Sequence, residues 1–365
     1  CRFCHAGMVN RPVRERPVEE VLSAIEQALA HTGFEEISLL SLSSSDYTNV
    51  VELVEKVHQR FDSEHLSVSL PSLRIESVSV DLMDALKGGR KGGFTLAPEA
   101  ATEKMRQIIN KPVSTEQLLD TAREIFARGW PTIKLYFMIG HPSETLEDVQ
   151  AIADLCKAVR NVGRDTMGKR AQVNAGVSTF VPKPHTPFQW VSCDSIEQIR
   201  AKQELLRSEL RGKGLKLSWN NPLETQLEAW LSRGDRRMSE VIYQAWKNGA
   251  KFDAWREFFN YEAWQAAFAA TVLEPEFYTH RQRPLDEVFP WEHLSTTVRK
   301  TFLTQDYLWS LDGRTRIDCR EQCFACGILP TFANLRREHP GEEWKCPEVK
   351  NKRVAVRREQ EAVSG

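Results

Sequence analysis

The stretch KLYFMIGHPSET at residues 134–145 decides the fold. It contains most of an apolar run over residues 133–139 that predicts a β-strand, and the run stops at Gly140. The apolar periodicity of residues 146–160 predicts a helix directly afterwards. A strand followed at once by a helix is one βα unit, and in such units the chemistry lies at the carboxyl end of the strand.

The same alternation of strands and helices extends to both sides of this stretch. The predicted strands lie at residues 37–42, 66–70, 93–97, 133–139 and 173–181. The predicted helices between them lie at residues 18–31, 50–61, 80–87, 102–109, 115–128 and 146–160. Five βα-type strands in order, with a sixth expected upstream of Cys1, form a barrel or an open doubly wound sheet. The predicted fold class is α/β, and the region is a partial (βα)6 TIM-like barrel.

The sequence pattern changes after residue 190. Asp194 followed by Glu197 predicts the start of a helix. Seven of the ten tryptophans lie between Trp219 and Trp309, which predicts a mostly helical region with an aromatic core. We therefore divide the chain into a barrel (1–190), a helical accessory region (191–310), a cysteine-cluster segment (311–348) and a charged flexible tail (349–365).

Composition and charge limit the classes of function. The formal net charge is -1, so no overall field recruits nucleic acid or an anionic membrane. Basic runs at 11–16, 233–237 and 350–358 leave local RNA contact open, although such runs are usually solvated. No stretch has the ~20 apolar residues that span a bilayer, so no membrane partner is predicted. Closely spaced cysteines in a large chain favour metal binding and a cytoplasmic location over disulfides.

The chain begins with two cysteines three positions apart, Cys1 and Cys4. Two thiolates cannot complete a tetrahedral metal site, so the pair on its own is compatible with half a zinc ribbon or a redox dithiol. A thioredoxin-like dithiol would have one βα unit around it, whereas five follow here.

The segment Cys1-Arg2-Phe3-Cys4 resembles the last two cysteines of the radical S-adenosylmethionine signature, C-x3-C-x2-C, with an aromatic residue before the final cysteine. In that family three thiolates bind a [4Fe–4S] cluster whose fourth iron takes the amine and carboxylate of S-adenosylmethionine. The resemblance implies that Cys1 and Cys4 are cluster ligands and that Phe3 lies at the cofactor. It also implies that the first cysteine of the signature lies four residues before Cys1.

Further segments at the predicted strand ends resemble the same family. Ser43, Ser44 and Asp46 stand where the family has Gly-Gly-Glu, which receives the methionine amine; a polar loop leading to a capped helix is the alternative. Glu99 matches a family carboxylate that lies near the ribose or methionine of the cofactor. The alternative is an acidic residue favoured at a helix N-terminus by the helix dipole. The stretch with Tyr136 and Gly140 is similar to the segment that approaches the adenine. The remaining candidates are Lys183 and His185, from the proline-rich loop after the last strand; each could face substrate or cofactor, or could equally be a surface residue.

Together these segments resemble most closely the bacterial B12-binding-domain-type subgroup of radical S-adenosylmethionine enzymes. That resemblance implies an N-terminal Rossmann-like domain in the intact chain and leaves cobalamin use open. It implies reductive cleavage of S-adenosylmethionine to a 5′-deoxyadenosyl radical, with electrons from a donor such as a flavodoxin or ferredoxin. The substrate is unknown, and group transfer to RNA or another macromolecule is one expectation. Without the first cysteine of the signature, residues 1–365 alone are expected to be inactive.

A second cysteine set lies near the other end of the chain: Cys319, Cys323, Cys326 and Cys346. Soft thiolates select zinc or an iron–sulfur cluster, and the sequence leaves both open. The spacing of the first three equals that of the radical signature, but no series of strands follows to build a cofactor barrel. A non-catalytic zinc or iron–sulfur RNA-binding protein is the alternative function. The two isolated thiols, Cys156 and Cys193, are predicted to be packing residues.

Overall fold

Two parallel sheets form the centre of the barrel region. The computed structural model describes residues 1–41, 43–61, 66–70, 74–75, 80–86, 93–338 and 346. Strands β1 (Glu36–Ser38) and β2 (Ser67–Ser69) pair in parallel. A second sheet has the order β3-β4-β5-β6, all parallel, with β3 (Phe94–Glu99), β4 (Thr132–Ile139), β5 (Gln172–Thr179) and β6 (Leu215–Trp219).

Helices connect these strands and make up most of the C-terminal region. In chain order they are α1 (His5–Val9), α2 (Val18–Thr32), α3 (Val50–Phe61), α4 (Val80–Ala85), α5 (Glu103–Ile108), α6 (Thr115–Ala127), α7 (Leu146–Met167), α8 (Ile196–Glu209), α9 (Pro222–Arg233), α10 (Met238–Lys247), α11 (Tyr261–Thr271), α12 (Pro275–Thr279), α13 (Lys300–Leu311), α14 (Ile328–Thr331) and α15 (Ala333–Glu338). The predicted α/β fold with a parallel sheet and a helical C-terminal region is confirmed.

Local sequence explains where the long helices begin. Helices α6, α7 and α8 each start with a capping box, in which a hydroxyl accepts from the third helical N–H and the side chain there returns a bond. For α8 the cap is Ser195 with Gln198. The prediction that Asp194 caps this helix is wrong, because the Asp194 carboxylate is paired with Lys202 instead.

The faces of the larger sheet differ in their surroundings. On β4, Ile133, Leu135, Phe137 and Ile139 are buried in the main core, which includes residues of α6 and α7. The alternate residue Tyr136 is half-exposed. Because side chains alternate across a strand, the second face is left accessible, and we call it the inner face.

Two strands differ from the sequence prediction. The predicted strand over 37–42 is three residues long here; Leu40 is exposed, and Leu42 lies outside the described residues. Strand β6 was not predicted. It pairs with β5 beyond residue 190, where the sequence interpretation ended the barrel. Its sequence, LKLSW, has a single buried residue, so it lacks the continuous apolar run used to identify the other strands.

Aromatic residues form two clusters in the C-terminal region. One cluster contains Trp230, Trp264, Phe268 and Tyr278. The other packs Trp190, Phe289, Trp291 and Phe302 against Met8 of α1, which joins the N-terminal loop to the C-terminal helices. None of the helices within the described ranges is both long and apolar enough to cross a bilayer. The predicted tail at 349–365 lies outside the described residues.

Candidate functional site

The candidate residues lie at the carboxyl ends of the strands, where a parallel α/β sheet places its ligands. Phe3 is half-buried and packs against a cluster containing Ala100, just after β3, and Phe180, just after β5. The loop that carries Cys1 and Cys4 is therefore positioned at the carboxyl edge of the larger sheet, and we call this edge the barrel mouth because the parallel sheets are consistent with a partial barrel. Cys1 is exposed and Cys4 is partly buried.

Arg2 holds this loop in place. Its backbone N–H donates to Ile109 O at 2.9 Å, and its Nη1 donates to Gln107 O and Ile108 O at 3.0 and 2.9 Å. Its Nε pairs with Asp306 Oδ1 of α13 at 3.1 Å, and the side chain is fully buried. Burial lowers the pKa of Arg2 and the carboxylate of Asp306 opposes that shift. One side chain between the two cysteines thus joins their loop to α5 and to the C-terminal region.

Glu99 ends β3 in an unusual conformation. Its φ is 65°, in the left-handed region that costs a non-glycine residue of order 1–2 kcal/mol. The carboxylate Oε1 pairs with Lys111 Nζ at 3.2 Å, and the lysine is buried. Arg106, fully buried on α5, donates to Ala100 O at 2.8 Å and Ala101 O at 2.9 Å, and so braces the loop after β3. These contacts hold a carboxylate at the barrel mouth.

Tyr136 lies on the inner face. It pairs in register with Gly176 of β5, and a Cβ atom at Gly176 would lie 2.7 Å from the Tyr136 ring. The aromatic ring therefore occupies the place where another residue would have a side chain. This arrangement presents a flat, half-exposed ring in the barrel interior.

Gly140 ends β4 with a φ of 93°, which a glycine adopts without strain. Its N–H donates to Glu144 Oε1 at 2.9 Å. The same oxygen pairs with Lys202 Nζ at 2.7 Å, and Lys202 also pairs with Asp194 Oδ2 at 2.7 Å. Burial raises the pKa of Glu144, while Lys202 and the Gly140 N–H lower it. The glutamate of the KLYFMIGHPSET stretch therefore shapes the loop after β4.

His141 follows this glycine and was not singled out by the sequence. The ring is buried against Phe180 and Phe188, at centroid distances of 5.0 and 4.6 Å. Its Nδ1 accepts from Ser143 N at 3.2 Å, while its buried Nε2 has no partner among the residues that the structure describes. Burial and then the charge of Lys202 lower the pKa of His141 to about 4. The ring is neutral at physiological pH.

The candidates after β1 have internal partners. The Ser44 hydroxyl donates to Leu39 O at 2.7 Å. The Asp46 carboxylate pairs with Arg74 Nη1 at 3.1 Å, and its carbonyl accepts from Arg320 at 3.4 Å. The Ser43 hydroxyl is buried without a partner in the described part of the chain. Contacts with Leu39, Arg74 and Arg320 thus hold this loop in place. The Ser43 hydroxyl is the group of this loop that could still bond a ligand.

Lys183 has partners on α9. Its Nζ pairs with Glu228 and donates to Ser232 Oγ at 3.1 Å, both on α9. The lysine therefore connects the loop after β5 to the helical region. His185 lies near His5, which follows the cysteine loop directly. Burial lowers the pKa of His185, and the charge of His5 lowers it further.

The four cysteines of the C-terminal segment are free and partly buried. Burial raises the pKa of Cys346, and the neighbouring Cys319, Cys326 and Cys323 raise it further. In the predicted basic run at 233–237, Arg233 is buried, Arg237 pairs with Asp235, and Arg236 and Arg237 are both exposed.

Comparison with known proteins finds similarity to one family over part of the chain. Residues 1–156, less than half of the chain, match the family described as the Radical SAM superfamily. The chain is 29% identical over 245 residues to the uncharacterized protein MJ0966 of Methanocaldococcus jannaschii, covering 66% of this chain and 51% of the relative.

Two other proteins are more distantly similar. The tRNA-2-methylthio-N(6)-dimethylallyladenosine synthase of Desulforamulus reducens is 24% identical over 168 residues, covering 44% of this chain and 37% of the synthase. The crystal structure of Streptococcus suis SuiB bound to S-adenosylmethionine has a TM-score of 0.43 and 12% identity, covering 60% of this chain and 47% of SuiB. This chain therefore spans about half, or less, of the length of these proteins.

The residues at the barrel mouth fit the cofactors of the family that residues 1–156 resemble. Cys1 and Cys4 have the spacing of the last two thiols of its signature, and Cys4 Sγ accepts an N–H bond from Gly7 at 3.3 Å. Hydrogen bonds to sulfur are among the contacts that tune iron–sulfur clusters. Glu99 supplies acceptors for ribose hydroxyls or an ammonium group, and the half-exposed Tyr136 supplies an aromatic face.

Proposed function

We propose that this protein is a radical S-adenosylmethionine enzyme whose cofactors bind at the barrel mouth. The observation that carries the proposal is the anchoring of the Cys1–Cys4 loop by Arg2. Glu99, whose backbone has a positive φ, supplies a carboxylate at the same barrel mouth. A bound [4Fe–4S] cluster with S-adenosylmethionine would supply one-electron reductive cleavage and a carbon-centred radical.

The residues of this chain would bind and orient these groups. Cys1 and Cys4 would ligate iron, and Phe3 would shield the loop from water because it packs into the apolar cluster beneath. Glu99 would accept hydrogen bonds from the nucleoside or methionine end of the cofactor. The backbone at Gly140 would approach the adenine, held by Glu144 and, through it, Lys202.

Anaerobic reconstitution of the full-length protein with iron and sulfide tests this proposal. We expect a brown protein with absorbance near 400 nm that cleaves S-adenosylmethionine to methionine and 5′-deoxyadenosine when reduced. Cys4→Ala removes one ligand and should abolish cleavage. Cys156→Ala is the matched control. The Cys156 thiol lies on α7 and is buried in the main core, so its removal should leave cleavage unchanged.

A wild-type protein that binds iron and never cleaves S-adenosylmethionine would contradict the proposal. So would a colourless zinc protein that binds RNA, which is the outcome expected of a non-catalytic RNA-binding protein.

We propose RNA as the first substrate class to examine, with group transfer as the reaction. The support is the similarity to a tRNA-modifying synthase over 44% of this chain. Tritium or deuterium transfer from labelled RNA into 5′-deoxyadenosine would identify a hydrogen donor directly. Absence of transfer from total RNA, in an enzyme that cleaves S-adenosylmethionine, would exclude RNA as that donor.

The B12-binding-domain subgroup is a finer proposal, supported by the strand-end segments at Glu99 and Gly140. Membership of this subgroup would imply an N-terminal Rossmann-like domain in the full-length protein. The visible absorbance of the purified full-length protein would measure whether cobalamin is bound. A flavodoxin or ferredoxin is the proposed electron donor, and replacing dithionite with either tests it.

A further inference from the structure

A cavity of about 90 Å³ lies between the C-terminal segment and the N-terminal loop. All four C-terminal cysteines line it, and we call it the four-cysteine cavity: Cys319, Cys323, Cys326 and Cys346. Its lining is predominantly apolar, and the four thiols are partly buried. The segment that carries the first three cysteines has no strand, so it does not belong to the barrel.

We propose that these four thiols ligate a second [4Fe–4S] cluster. A thiolate-only site selects zinc or an iron–sulfur cluster. A zinc–sulfur bond of ~2.3 Å requires four sulfurs about 3.8 Å apart around one ion. Within the described residues, no three Cys, His, Asp or Glu side chains lie close enough to hold a single ion. Thiols arranged around a cavity fit a cube, in which each sulfur binds its own iron.

The surroundings of the four-cysteine cavity suit an anionic cluster. Arg11 and Arg299 both contribute to its lining. The Ala325 N–H donates to Cys323 Sγ at 3.4 Å. Cations and N–H groups directed at thiolates stabilise clusters and adjust their potential.

The second site is adjacent to the first. Arg11 follows α1, whose five residues span about 8 Å and start directly after Cys4. A buried chain of contacts also connects the two: Asp306 Oδ1 accepts from Arg2 Nε at 3.1 Å and from Arg316 Nε at 2.7 Å. The Arg316 guanidinium lies 4.8 Å from the ring of Phe324, which is between two of the cavity cysteines. The proposed cluster therefore lies beside the barrel mouth.

Metal counting on the full-length protein tests this proposal. After anaerobic reconstitution we expect about eight irons per chain, and about four in Cys323→Ser and in Cys326→Ser. Both variants should keep the change that S-adenosylmethionine causes in the electron paramagnetic resonance spectrum of the remaining cluster. Cys193→Ser, at a buried thiol outside the cavity, should keep all the iron. Thermal unfolding of each variant verifies that it is folded.

The same experiment separates this inference from the proposed function. Loss of half the iron in Cys326→Ser, together with no loss in Cys4→Ala, would support the second cluster and contradict the first. One zinc per chain that disappears in the folded Cys326→Ser variant would overturn the second cluster. Unchanged iron in folded Cys323→Ser and Cys326→Ser variants would overturn it as well.

Discussion

Glu99 combines a strained backbone with a buried cationic partner. A non-glycine residue with positive φ persists when its surroundings over-determine it, and such residues concentrate at ligand sites. Lys111 supplies one partner for the carboxylate, which leaves further acceptor positions for a ligand. Because β3 ends here, the carboxylate is at the edge of the inner face.

We predict that Glu99→Gln weakens S-adenosylmethionine binding roughly tenfold, or ~1.4 kcal/mol, because a neutral amide replaces a charged acceptor. Equilibrium dialysis of the anaerobic, iron-loaded protein measures this. Lys111→Met is the comparison, since it removes the ion pair and keeps the carboxylate. Equal losses of affinity in both variants would show that Glu99 serves the ion pair alone.

His141 makes stability depend on pH. Burial lowers its pKa from 6.5 to about 4, so between these values the unfolded chain binds a proton that the folded chain does not. The stabilisation is fully present above pH 6.5 and is lost as the pH falls towards 4. This lowering of the pKa corresponds to about 3 kcal/mol in the free energy of unfolding.

We predict that His141→Phe removes this component of the acid sensitivity. Urea unfolding at pH 7 and pH 5 measures the free energy of unfolding, and the loss between these values should be smaller in the variant. His31→Gln, at an exposed position of α2, should retain the wild-type dependence. An unchanged loss in His141→Phe would contradict the assignment.

At the scale of elements, β4 and β5 present a ring over a glycine. A Cβ atom at Gly176 would meet the Tyr136 ring at 2.7 Å, closer than real Cβ contacts. The ring must then move from the inner face, or the strands must separate. The pairing of a large residue with glycine therefore keeps the sheet intact and the ring in place.

We predict that Gly176→Ala destabilises the protein by about 1–3 kcal/mol, the usual cost of overpacking. Tyr136→Leu should relieve the clash, so the double variant Tyr136→Leu/Gly176→Ala should lose less stability than the sum of the single variants. Urea unfolding of the four proteins measures this coupling. Additive effects would contradict the close contact.

At the scale of the whole molecule, Asp306 joins the N-terminal loop to the C-terminal region. Its carboxylate lies between two buried guanidinium groups, Arg2 and Arg316. Asn110, after α5, adds two hydrogen bonds to the backbone of Arg316. Its side-chain amide accepts from Arg316 N at 2.7 Å and donates to Arg316 O at 3.2 Å. The C-terminal segment is thus docked on the mouth of the barrel by polar contacts.

We predict that Asp306→Asn destabilises the protein by about 3–5 kcal/mol, because two buried cations lose their counter-charge. Asp312→Asn, at the end of α13, is the comparison at the same charge change. Urea unfolding measures both variants, and protection of the 300–316 region from proteolysis should fall in the first. A wild-type free energy of unfolding in Asp306→Asn would contradict the role given to this carboxylate.

The sequence anticipated the elements with strong periodicity. Helix α3 has the predicted bounds, and α6 and α7 begin at the predicted residues. Strand β6 was missed, because an edge strand with one buried residue has no continuous apolar run. The cap of α8 was misassigned because Asp194 and Ser195 are both good N-cap residues, and only the contact with Lys202 distinguishes them.

The amino-acid sequence by itself determined the βα alternation, the cysteine spacings and the polar or acidic residues at strand ends, because these depend on local order along the chain. The tertiary structure decided what each residue faces. It directed Lys183 to α9, buried His141, and arranged four thiols from positions 319 to 346 around one cavity. Such contacts join residues distant in the chain, so packing and charge compensation, which periodicity does not encode, determine them.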